Sequence, residues 1–251
     1  MNKQIKGRDI IVYLATKYQG DWNRIYEAIK NKELVDEPTV TEVVSSIKSK
    51  VCAIIDDDYP EALKKSYKPP FVLFYYGDLK ALSQRKNLTM LAHDQPNKKL
   101  LGQINTFTKS LSKRYGIITV LHNEANQQVM SKVDKDSLLT VIGFDGIDQM
   151  KERTKDLNVA LLLSEYPGEL AKKDENLPWA VRIASSLGDK LLVSKNVDKS
   201  YLGIAIGYSL YLDKQVLAFN QSKSKIDENI TSVENVNDVD AVMEPHGWTQ
   251  I

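Results

Sequence analysis

LLLSEYPGE, at Leu161–Glu169, is the stretch that decides the fold. Three leucines in a row read as a strand buried on both faces, and Ser-Glu-Tyr-Pro-Gly stops it abruptly. Two more strand-like runs follow, KLLVSK at Lys190–Lys195 and KQVLAF at Lys214–Phe219, with helix-length segments between them. Continuous apolar strands alternating with helices require a parallel sheet covered on both faces.

The pattern extends upstream. LTMLA (Leu88–Ala92), GIITVLH (Gly116–His122), LLTVIGF (Leu138–Phe144) and VALLLSE (Val159–Glu165) are further strands. Lys98–Arg114 and Ser200–Leu212 are the clearest helices. Six such strands define an α/β, Rossmann-like, doubly wound and mostly parallel sheet over residues 88–220.

Residues 51–87 form a lead-in with two short strands, Val51–Ile55 and Phe71–Tyr76, separated by an acidic turn and a Pro-Pro step. Residues 1–50 read as a small helical region of three short helices. Ile10, Ile11, Leu14 and Ala15 make one helical stripe, and Trp22, Ile25, Tyr26 and Ile29 a second that Asp21 would cap. Val40, Val43, Val44 and Ile47 make a third after Pro38. Residues 221–251 are polar and acidic, read as loop plus a short element near Val239–Met243.

Composition sets bounds. At 42% hydrophobic and 27% charged, the 251 residues are those of an ordinary globular protein. No apolar run approaches the roughly 20 residues that span a bilayer, so no membrane association and a cytoplasmic location are expected. A net charge of +1 excludes a globally basic nucleic-acid binder, so any such site is a local patch. The single cysteine, Cys52, excludes an intrachain disulfide and lies in an apolar strand, where burial is the plainer reading than nucleophilic chemistry. Asp56–Asp58 read as a solvated acidic turn ahead of a proline, not as a metal site. No G-x-G-x-x-G or Walker A sequence is present, and no cofactor is expected.

With these elements placed, the chain resembles the DprA/Smf family of bacterial DNA-processing proteins. DDDYPEALKKSYKPPFVLFYYGDLKAL (Asp56–Leu82) is similar to that family's Tyr-Pro, Pro-Pro, Val-Leu-Phe and Gly-Asp-Leu lead-in. LTMLAHD matches its first strand, LLLSEYP its Leu-Leu-Ser-Glu-Tyr-Pro strand end, and Leu177-Pro178 through Arg182-Ile183-Ala184 its Phe-Pro to Arg-Ile-Ile segment. The resemblance covers roughly residues 50–220. It implies a non-catalytic protein of DNA recombination that binds single-stranded DNA, assists a RecA-type recombinase and works as a homodimer. It places a basic pocket at the rim where the parallel strands end.

Departures fall on that rim. The family's Gly-Ser-Arg is here Ala92-His93-Asp94. Its Ser-Gly-Leu-Ala-Arg-Gly-Ile-Asp is Leu121 to Gln128, without the glycines that let backbone N–H groups approach phosphate. Trp179 and Ala180 stand for two arginines, and Lys199-Ser200-Tyr201 for Ser-Gly-Ser.

Arg182 keeps its place and is the first nucleic-acid-binding candidate, a bidentate phosphate donor or else a salt bridge to Glu165. Lys98, Lys99, Trp179, His93 and His122 complete the candidate set, with Trp179 a stacking surface or a core cap. His93, Asp94, His122, Glu124, Asp145 and Asp148 all follow strand ends at one rim. They are residue types that bind divalent metal or move protons, although strand-end polar residues without chemistry are the plainer reading. Tyr201, Ile204, Tyr208 and Tyr211 form a helical stripe read as core before interface. Two other functions stay open: a nucleotide-type sensor using the same rim, and a scaffold homologue that has lost DNA binding.

Overall fold

The computed structural model describes residues 6–170, 174–194, 200–219 and 229–240. Nine strands form one sheet in the order β1-β2-β6-β5-β4-β3-β7-β8-β9. They are β1 Lys50–Ala53, β2 Val72–Gly77, β3 Asn87–Leu91, β4 Gly116–Val120, β5 Leu139–Ile142, β6 Leu161–Ser164, β7 Lys190–Val193, β8 Gln215–Phe219 and β9 Ile230–Val233. From β6 through to β9 every neighbouring pair is parallel, whereas β1, β2 and β6 pair antiparallel.

The chain winds outward from β3 through β4 and β5 to β6, then crosses back to lay β7 against the free side of β3. That reversal makes β3/β7 the topological switch point, where open α/β sheets form a crevice at their strand ends.

Helices cover both faces. One carries α1 (Gly7–Lys17), α2 (Trp22–Lys30), α5 (Lys98–Leu111), α6 (Glu124–Lys132) and α7 (Ile147–Arg153); the other carries α4 (Glu61–Lys64), α8 (Leu177–Leu187) and α9 (Tyr201–Tyr211). Between α2 and β1 lies α3 (Glu37–Ser46). The strand period of two splits the core accordingly: Ile117 faces the first layer, Ile118 and Val120 the second. Each such residue contributes about 1.5–3 kcal/mol by leaving water. Asp21 caps α2 as its sequence position implies, accepting from the N–H groups of Asn23 and Arg24.

Both ends of the sheet come from outside residues 88–220. The lead-in strands join the same sheet, with Phe74 of β2 opposite Ser164 of β6. The acidic tail contributes β9 and a 3-10 turn, Val236–Val239. The run ITSV is too short and polar to announce itself, and it is a strand because β8 offers a paired edge. Met243, His246 and residues 195–199 lie outside the described residues.

Candidate nucleic-acid interface

At the switch point the crevice is filled by the protein's own side chains. β3 runs out into Ala92-His93-Asp94, and the Ser194 hydroxyl beyond β7 accepts from the His93 N–H at 2.7 Å. The Asn126 side chain accepts from the Ala92 N–H at 2.8 Å. The Ala92 carbonyl receives two donors, the Tyr201 hydroxyl and the Asn123 amide at 3.0 Å. The same amide lies 2.6 Å from Asp94 Oδ1 and 3.0 Å from the Tyr201 oxygen. His122 Nε2 is 3.2 Å from Asp94, and its ring packs edge-on against Tyr201 and Phe144. Tyr201 is only 6% exposed, and burial pushes its hydroxyl pKa well up. The groups that would meet a phosphate here are already bonded to one another.

Local sequence explains the knot. Asn123 caps α6 by accepting from the Asn126 N–H at 2.8 Å, which leaves its amide free to reach across to β3. Ser200 caps α9 through the Leu202 N–H, so the first helical side chain, Tyr201, points back over the strand ends. Sequence reasoning took Tyr201 for a stripe residue and passed over Asn123 and Asn126. The signal was Asn123 between a strand end and a helical segment, an N-cap position.

The SEYP turn builds the neighbouring part of the rim. The Ser164 hydroxyl donates to the Asp145 carbonyl at 2.9 Å and accepts from the Tyr166 N–H, fastening the β6 end to the β5–α7 loop. Tyr166 is buried against Gly20, whose φ of +75° and missing Cβ bring the α1–α2 turn within contact of the Glu165 carbonyl.

Glu165 points under α8, where Arg182 donates to it at 2.8 Å. Arg182 also donates to the carbonyls of Lys68 and Tyr67 and is 0% exposed. The phosphate-contact reading of Arg182 is therefore corrected to the salt bridge. Residues 180–187 of α8 are all buried, so the one charge on the helix is used inside the protein. Burial pushes the Glu165 carboxyl up, and the guanidinium beside it pulls the other way.

The other candidates divide. Lys98 and Lys99 are exposed in the first turn of α5, which Asn97 caps by accepting from the Leu100 N–H. His93 and His122 are half-buried, with His93 Nδ1 accepting from the Gln95 N–H and His122 in the knot. Trp179 is half-buried, with the Arg182 guanidinium 4.8 Å and the Lys68 ammonium 5.8 Å from its ring.

The rim does not gather a metal set. Asp145 is buried with Arg153 bound to it, and Asp148 accepts from the Tyr76 hydroxyl at 2.6 Å. Among the described residues only Cys52, Asp56 and Asp58 bring three ligand atoms within 4.8 Å. There Arg8 occupies Asp56 through both oxygens, and burial with Asp58 nearby pushes the Cys52 thiol well up. The α9 stripe is not all core: Tyr201 is buried, but Ile204 is 37% and Tyr211 69% exposed. Among the described residues no helix is long and apolar enough to cross a membrane.

An open, doubly wound sheet with its crevice at a strand-order reversal defines a Rossmann-like protein. The model of the family described as DNA recombination-mediator protein A matches residues 50–238, and the chain belongs to that family. It is similar to DNA processing protein DprA of Bacillus subtilis (strain 168), 26% identical over 202 residues that span 76% of this chain and 68% of that protein. The fold is that of DNA processing protein A from Streptococcus pneumoniae, at a TM-score of 0.70 and 18% identity, covering 95% of this chain and 94% of that one. It is also similar to DNA processing protein A from Helicobacter pylori, whose single-stranded DNA binding mode has been studied structurally. That match has a TM-score of 0.64 and 15% identity, over 78% of this chain and 95% of that one. The chain is a DNA-processing protein by family.

Proposed function

We propose that this chain is a non-catalytic DNA-processing protein of the cytoplasm that binds single-stranded DNA along the outer rim rather than inside the switch-point crevice. The observation that carries the reading is the exposed Lys98-Lys99 pair on the first turn of α5, beside the β3 end, in a chain matched to the family over residues 50–238. Cations at a helix N-terminus are mildly unfavourable for stability, which makes sense where an anion faces them. Binding through so few charges is weak and salt-sensitive.

Titration of a labelled oligothymidylate by anisotropy, at low and moderate salt, tests it. Saturable binding that weakens with salt supports the proposal, and no binding at low salt removes it. The scaffold reading, a homologue without DNA binding, has its own support in the filled crevice and the buried Arg182, and the same titration separates the two.

The partners proposed are a RecA-type recombinase and a second copy of the chain. Self-association is supported by the apolar groove of about 410 Å³ lined by Tyr67, Ile204, Gly207, Tyr208 and Tyr211. Sedimentation of the native chain against Tyr211→Glu reads it out. A pull-down with a recombinase, without DNA, tests the other partner.

A further inference from the structure

A cleft of about 390 Å³ opens beside Tyr166 of the SEYP turn, between the starts of α2 and α8. Trp22 of α2 and Trp179 of α8 both line it, although they come from distant parts of the chain. The Lys68 ammonium bridges the two indoles, 5.0 Å from the Trp22 ring and 5.8 Å from the Trp179 ring, and donates to Asn23 Oδ1 at 2.7 Å; Tyr26 also stacks on Trp22, and the Arg182 guanidinium lies 4.8 Å from Trp179. Tyr18 forms part of the lining and carries the exposed Arg24 guanidinium 4.7 Å over its ring, so a planar cation faces the opening. Asn23, Asn176 and Asp21 add polar lining: Asn23 Oδ1 accepts from Lys68, the Asn176 amide donates to the Phe144 carbonyl, and Asp21 Oδ1 caps α2, which leaves the second carboxylate oxygen of Asp21 for a ligand.

We infer that this cleft takes an unstacked base of a single-stranded nucleic acid. Flat aromatic and guanidinium surfaces match the face of a base, and stacking of that kind tolerates any sequence. A carboxylate oxygen of Asp21 matches the donor groups on the edge of a base. The Asp21 and Glu175 carboxylates in the lining disfavour phosphate, so the base enters and the backbone stays outside. The backbone then runs along the rim. The inference rests on the single-stranded DNA reading and gives that strand a base-holding site away from the crevice.

The test uses the chain's own fluorescence. Of three tryptophans only Trp248 lies away from the cleft residues in sequence, in the C-terminal tail. In a Trp248→Phe background, the remaining emitters are Trp22 and Trp179. The protein is titrated with oligothymidylate and with an abasic strand of equal length.

Bases are expected to quench the emission and tighten binding by at least about fivefold, the lower end of one stacked base. Trp179→Ala is expected to remove that difference between the two strands. Trp179→Phe, which keeps a planar face, should retain part of it. Arg24→Ala, at an exposed position, serves as a second variant should Trp179→Ala fail to fold, and should also reduce the base-dependent part. Equal affinity for both strands without quenching overturns the cleft and leaves rim binding standing. No binding of either strand overturns both.

Discussion

Removing the Arg182 guanidinium separates structure from function at the residue that sequence reasoning placed first. In Arg182→Ala, Glu165 loses the donor 2.8 Å away, and the Tyr67 and Lys68 carbonyls lose theirs. Both members of the ion pair are buried, at 0% and 4% side-chain exposure, so no solvent replaces the missing charge. Breaking one half of such a pair costs about 3–5 kcal/mol. The Arg182 Nε and Glu165 Oε1 atoms have no hydrogen-bond partner among the described residues, so the pairing is single-pronged and the lower half of that range applies. At roughly 2–4 °C per kcal/mol for a chain of this size, the melting temperature falls by about 6–16 °C.

The loss depends on pH. Without its cation, Glu165 is pushed up further by burial, and the native state holds a proton that the unfolded chain releases above about pH 4.3. Stability of the variant therefore falls as pH rises through the folded pKa, and the gap from the parent is larger at pH 8 than at pH 5. Adding Glu165→Gln should recover part of it. Thermal melts at both pH values, with oligonucleotide titration alongside, decide the matter. A variant that melts like the parent at pH 8 but binds DNA less well would refute the reasoning and return Arg182 to the surface as a phosphate contact.

Three more outcomes follow from the same geometry. Tyr201→Ser breaks the hydrogen bond to the Ala92 carbonyl and opens the crevice, so oligonucleotide affinity should rise while the melting temperature falls by a few degrees; unchanged affinity would mean that the crevice plays no part. Lys98→Glu with Lys99→Glu should lower the slope of log K against log salt by about 1.4, at roughly 0.7 for each phosphate no longer neutralised. Acids in a first helical turn are favourable, so the same double variant should melt no lower than the parent, which excludes unfolding as the cause. Gly77→Ala forces a side chain onto φ +100° and drives its Cβ into the Ala160 carbonyl, and urea unfolding should register a loss of at least about 1–3 kcal/mol.

Most of the sheet was legible because its strands are apolar runs cut off by turn residues. LLLS and QVLAF carry their own boundaries, and the expected strand ends fall within a few residues of the observed ones. What was not legible is non-local. β2 joins β6 antiparallel across three intervening strands of chain, with Gly77 opposite Leu161 at one end and Phe74 opposite Ser164 at the other. β9 is polar enough to pass for loop.

At the site, chain order put the candidates on one rim but could not give their depth. LPWAVRIASSL is mostly apolar, and Leu177 and residues 180–187 are buried, which takes Arg182 inside with them. The sequence left Arg182 open between a phosphate and Glu165, and its depth in the structure decides for Glu165. The Tyr201 knot was less accessible, because it depends on the angle at which α9 leaves Ser200.

Photo-crosslinking tests the central claim, a strand on the outer rim with the crevice closed, most directly. A single-stranded oligomer carrying 5-iodouracil is irradiated with the native chain, and the adducts are mapped by peptide mass. The account predicts adducts on the segment from His93 to Leu101 and on the cleft residues about Trp22 and Trp179, with Tyr201 unmodified. Adducts concentrated on Tyr201, Asn123 and Asn126, or none on either rim segment despite binding, would contradict it.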